Sequence, residues 1–161
     1  EMIRSLIDII TQRDADSRIG LGSYSEAYES GKLTTQKEDK QQFMLGDNRS
    51  LDEIICELAD LGHIVSFCTA GYRCGRTGKK IMTLLESGRE GCFCKLNAVL
   101  TFQEWLEDFA SEKTKQIGEK IIQKEIEEIK QRVPQDFSEN VYEHFIKAYE
   151  KIINGERDLY F

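Results

Sequence analysis

The chain has 161 residues, 29 acidic against 22 basic, for a formal net charge of -7. That length suits one compact domain or a fragment of a longer protein. The acidic balance argues against nonspecific nucleic-acid binding, although a local basic island could hold one small anionic group. No run of about eighteen uncharged apolar residues is present, so no membrane span is expected. Five cysteines, an odd number, speak against a secreted disulfide scaffold and for reduced thiols in a cytoplasm.

The opening residues EMIRSLIDII lack the basic head and cleavage site of a secretory signal. A chain that begins at Glu1 rather than Met is expected to have been processed, excised or shortened upstream. Met2, Ile3, Leu6, Ile7, Ile9 and Ile10 fit either the end of a helix or a run into a buried strand. The polar stretch TQRDADSRIGLG follows, from Thr11 to Gly22. Such a segment after a buried strand serves either as a ligand-binding edge in an α/β fold or as a simple connection. Residues 29–42, ESGKLTTQKEDKQQ, contain one apolar side chain in fourteen and read as a mobile surface loop.

Helix signals strengthen from Ser50. Ser50 and Glu53 match a reciprocal cap, Ile54, Ile55, Leu58 and Leu61 recur at helical spacing, and Gly62 offers a left-handed exit. Cys56 falls off the apolar stripe and His63 reads as a surface or cap residue. His63 to Phe67 reads as a short extended segment, and Ile81, Met82, Leu84 and Leu85 as a short helix ending at Gly88. A further helix is expected to start at Thr101, with Glu104 as its answering cap residue and Phe102, Trp105, Leu106 and Phe109 as a core stripe. Residues 114–132 repeat apolar side chains at Ile117, Ile121, Ile122, Ile126 and Ile129 among alternating charges. Pro134 and Asn140 punctuate the chain before a final helix carrying Val141, Phe145, Ala148, Tyr149 and Ile152.

Chemistry concentrates between Ser66 and Cys94. Cys68, Cys74, Cys92 and Cys94 follow one another with gaps of five, seventeen and one residues. From His63 to Lys95 six cations (Arg73, Arg76, Lys79, Lys80, Arg89, Lys95) face two carboxylates, Glu86 and Glu90. Thiols among cations ionise more readily and become better metal ligands or nucleophiles. Three readings stay open on these residues alone: metal or cluster ligation, a redox pair such as Cys68 with Cys94, and ordinary small core side chains. The spacing is not that of a zinc site, which commonly uses two close pairs. A thiol nucleophile would need a positioned base, and His63 and His144 are the only histidines.

QFMLGDNRSLDEIICELADLG, SFCTAGYRCGRTG and CKLNAVLTFQEWLEDFAS together resemble the carboxyl-terminal part of the HydG family. These are radical S-adenosylmethionine tyrosine lyases, related to ThiH, that mature the active-site cluster of [FeFe]-hydrogenase. The resemblance covers nearly the whole chain. It implies an α+β, mainly α fold: residues 1–61 as the last strand and helix of a (β/α) barrel, with the flexible loop at 29–42. Residues 62–161 would be a helical domain of the kind associated with biotin and thiamin synthesis.

In the family that domain carries a second, auxiliary four-iron cluster, which receives the diatomic fragments of tyrosine. It is held by a CxxC pair and one cysteine twenty-two residues later. Carried over, Cys68 matches the first ligand and Cys94 the third, while Gly71 stands at the middle position. Cys74 or Cys92 would have to substitute, or the iron–sulfur cluster is lost. Arg73 and Arg76 would neutralise an anionic cluster or its cyanide-bearing product. Ser17 and Arg18 match residues near the family's substrate cavity.

The CxxxCxxC motif that binds the other cluster is not among these residues. S-adenosylmethionine is therefore not expected on this chain alone, nor is catalysis. The implied role is an auxiliary iron–sulfur part of a HydG-like lyase. The alternative is a cluster-less relative acting as a protein-interaction or thiol redox module. Expected partners are a second copy, the missing barrel part and other hydrogenase maturation proteins, in the cytoplasm, with neither nucleic acid nor membrane.

Overall fold

Residues 49–67, 78–86, 90–136 and 140–160 are described in the computed structural model of the chain, which divides into two compact units, Glu1–Ile54 and Ile55–Phe161. The described residues form five α-helices: α1 Leu51–Asp60, α2 Gly78–Glu86, α3 Glu90–Phe109, α4 Glu112–Asp136 and α5 Val141–Ile153. None of them is long and apolar enough to cross a membrane.

In the first unit the described residues hold the start of α1, and the expected cap is present. The Ser50 amide donates to Glu53 Oε2 at 2.9 Å and the Glu53 amide to Ser50 Oγ at 3.3 Å. The Ser50 amide, and then its hydroxyl, hold the Glu53 carboxyl below its ordinary range. In the second unit α1 ends as its glycine foretells. Gly62 takes a φ of +87°, and the amides of Gly62 and His63 return to the carbonyls of Ala59 and Leu58.

The second unit is built around α3. Leu96, Asn97, Ala98, Val99, Leu100, Thr101, Phe102 and Gln103 are buried in succession, so this helix is enclosed rather than amphipathic. Ile121, Ile122, Ile126 and Ile129 of α4, Phe145 and Ile152 of α5, and Ile55 and Ala59 of α1 complete the core. Burying each such side chain contributes about 1.5–3 kcal/mol. Trp105 stacks on Phe67 and Phe102, with ring centroids 5.9 and 6.5 Å away. Ser111 caps α4 by accepting the Thr114 amide at 3.4 Å, and the helix runs past Pro134 before ending at Asp136.

α3 and α4 approach closely at Gly118, where a Cβ atom would fall 2.6 Å from Leu106 Cδ1. After α5 the chain turns at Gly155, φ +97°, and is tied back to α3. Arg157 grips both carboxylate oxygens of Asp108, at 2.8 and 2.6 Å, and the Leu159 amide donates to Glu104 Oε1 at 3.1 Å.

Two expectations are corrected. The α+β class, with a barrel remnant, gives way among the described residues to helices alone, with no β-strand. Residues 63–67 have strand-like composition but no neighbouring strand among the described residues to take their backbone groups. Instead Ile64, Val65 and Phe67 pack on the helical core, and the Phe67 amide donates to Thr101 Oγ1 at 3.4 Å. The other expected extended stretch, residues 9–15, lies outside the described residues, as does the loop at 29–42. No helix starts at Thr101. Its hydroxyl donates to the Asn97 carbonyl at 2.8 Å, one turn back inside α3.

Candidate metal centre

Helix α3 brings two of the proposed thiols into one element. Cys92 and Cys94 lie in its first turns rather than in a loop. At 3.6 residues per turn, positions two apart are separated by roughly 200° around the axis. Cys94 is exposed and in no disulfide. Cys56, in α1, is half-buried and also in no disulfide.

Cys68, Gly71, Arg73, Cys74 and Arg76 lie outside the described residues, as do Ser17 and Arg18. Among the described residues no group of three or more histidine, cysteine, aspartate or glutamate side chains could hold a metal ion.

The charge around Cys94 differs from a sequence count. Lys95 Nζ sits 2.8 Å from Glu125 Oε2 and 2.7 Å from Glu128 Oε2, both on α4. Burial pushes the Lys95 ammonium down, but its bonds to the two carboxylates outweigh that and hold its pKa above the ordinary value. Lys95 is thus charged but already neutralised, and its task is to pin the start of α3 to α4. It adds little to a positive field at the thiol. Lys79, exposed on α2, remains on the basic side of the balance. Sequence reading missed the role of Glu125 and Glu128 because they stand thirty or more residues from Lys95. The signal that existed was their i, i+3 spacing on one face of α4.

His63 is half-buried and follows the exit of α1, its amide spent on the Leu58 carbonyl. His144 is exposed on α5.

No family model and no curated protein matches the chain. Among solved structures, a crystal structure of HydG, a maturase of the [FeFe]-hydrogenase, matches with a TM-score of 0.74 and 42% sequence identity. The match covers 98% of this chain and 31% of that one, so the chain spans about a third of the length of the protein it resembles.

Proposed function

Because this chain is homologous to HydG along nearly its whole length, we propose that it is the carboxyl-terminal, auxiliary iron–sulfur part of a HydG-like tyrosine lyase. It serves maturation of the [FeFe]-hydrogenase cluster and is not catalytic alone. The observation that carries this is 42% identity sustained over 98% of the chain, with Cys94 exposed on α3. Cys68 and Cys94 supply two thiolates. Cys74 or Cys92 supplies a third. Arg73 and Arg76 offset the negative charge of the thiolate-bound centre. When bound, the cluster offers an iron without a protein sulfur, open to small diatomic ligands. Its partners are the rest of a HydG-length protein and other hydrogenase maturation proteins in the cytoplasm.

Anaerobic reconstitution followed by iron and sulfide analysis tests this. The unmodified chain is expected to bind both, Gly71→Cys to hold them more firmly, and Cys94→Ser to lose them. A chain that binds no iron, with its thiols fully open to alkylation before and after reconstitution, overturns the cluster reading. Gly71, which has no side chain to bind iron, favours a second reading in which the cluster has been lost and the domain serves protein association or thiol redox chemistry. Iron binding by Gly71→Cys but not by the unmodified chain would select that second reading.

A further inference from the structure

Two irregular segments of the second unit are fastened to one face of α3. Residues 63–67 reach it at Thr101 and Trp105: the Phe67 amide donates to Thr101 Oγ1 at 3.4 Å, and the Phe67 ring stacks on Trp105. Residues 157–160 reach it at Glu104 and Asp108, through the Leu159 amide and the Arg157 guanidinium. At about 100° per residue these four positions fall within an arc of about 100°, and they span only about 10 Å along the axis. The anchor points of the two segments thus interleave on the helix, and Trp105 follows Glu104 directly.

The later segment leaves a firmly closed helix. The amides of Gly155 and Glu156 return to the carbonyls of Ile152 and Lys151, which caps α5 and fixes where the chain departs. Arg157 is then the hub. Its Nε and Nη2 grip Asp108, while Nη1 donates to the carbonyls of Ile152 and Glu156 at 2.9 and 2.8 Å. One guanidinium so joins α3, the end of α5 and the segment itself, and a bidentate bond of this kind is directional. Beyond it, Asp158 takes a φ of +61°, a left-handed conformation that a side chain makes costly and that opening would relieve. Leu159 is only partly buried where it packs on the core. Backbone strain and modest apolar burial mark a segment that opens before the helices do.

We propose that residues 157–160 form a latch on α3 that opens as a unit, and that its closure seats Trp105 and, through the indole, residues 64–67. Closed, the latch engages Glu104 and Asp108 and steadies the turn of α3 from which Trp105 meets Phe67. Open, it frees that turn, and the Phe67 stack loosens with it. The coupling is reciprocal, so loosening either segment loosens the other. It holds with or without a bound cluster.

The test is amide hydrogen exchange on the 161-residue chain, read residue by residue by nuclear magnetic resonance. The amides of Leu159 and Phe67 report the two segments, since each is bonded to an α3 side chain, and those of Ile122 and Ile126 report the core. In the parent, Leu159 should exchange faster than the two α4 amides. Arg157→Ala removes the guanidinium; Asp108→Asn keeps the shape and takes a negative charge from the last turn of α3, where the helix dipole disfavours it. Each should speed Leu159 and Phe67 together, roughly tenfold, and leave the α4 amides unchanged. Trp105 emission should shift to the red in both. Thr101→Val, which replaces the hydroxyl that receives the Phe67 amide, should speed Leu159, and Thr101→Ser, which keeps it, should not. Acceleration of Leu159 without Phe67, no effect of Thr101→Val on Leu159, or equal acceleration of all four amides would overturn the proposal.

Discussion

Replacing Gly118 by alanine sets two effects of opposite sign against each other. In an exposed helix the change would stabilise by about 0.8–1 kcal/mol, because glycine is the poorer helix former. At this position the new methyl would lie 2.6 and 2.7 Å from the two Leu106 methyls and 3.2 Å from Cγ. Leu106 is 1% exposed and enclosed by the core, so moving its methyls aside must disturb packed neighbours. Overpacking of this kind costs about 1–3 kcal/mol. With three atoms of one buried side chain affected, the upper part of that range applies, and the net loss should be about 1–2 kcal/mol. Urea unfolding followed by far-ultraviolet circular dichroism would register it as a lower midpoint with unchanged slope. The cause is isolated by Leu106→Ala, which alone should cost about 2–5 kcal/mol through the cavity it leaves. In the Gly118→Ala background that cost should fall by at least about 1 kcal/mol, because the new methyl occupies part of the space. A Gly118→Ala protein as stable as the parent, or strict additivity of the two changes, would refute the close approach of α3 and α4.

Lys95→Met should remove about 1–2 kcal/mol, toward the lower end for a partly solvated ion pair, because Glu125 and Glu128 are left facing each other. As the folded-state pKa of Lys95 is raised, the difference from the parent should hold through neutral pH and vanish only as pH rises through that folded pKa. A difference already lost at neutral pH would contradict this. Burial, the largest influence, raises Glu104 above the ordinary carboxyl range, although its bond from the Leu159 amide works the other way. A carboxyl that holds its proton more tightly folded than unfolded destabilises the fold while ionised. That cost is removed as pH falls through the folded pKa toward the unfolded one. The melting temperature of the parent should therefore rise relative to Glu104→Gln on mild acidification, and a relative fall would show the sign to be wrong.

Local signals were legible in the chain, and those set by distant neighbours were not. Ser50, Glu53 and Gly62 bound α1 as expected because a cap needs only residues within one turn. Thr101 and Glu104 carry the same signature inside a continuous helix, where Thr101 bonds backward and Glu104 holds the tail. What decides between the two is the burial of residues 96–103 on every side. That erases the apolar stripe by which a helix is normally recognised. The apolar run at 63–67 reads as a short extended segment, and what the sequence could not show is that the core of helices takes its side chains. At the candidate centre, the neutralisation of Lys95 depends on α4 and is invisible to a local count of charge.

Trp105 is the sole tryptophan of the chain, and its stacking on Phe67 gives the protein a built-in optical reporter. Phe67 is the residue immediately before Cys68, so whatever draws Cys68 toward or away from the helices tugs on the indole's neighbour. Emission intensity and wavelength should therefore follow events at that cysteine without any attached dye. An iron–sulfur chromophore forming nearby would add quenching to the same signal. One native side chain would thus report the proposed loading in real time, in the unlabelled molecule.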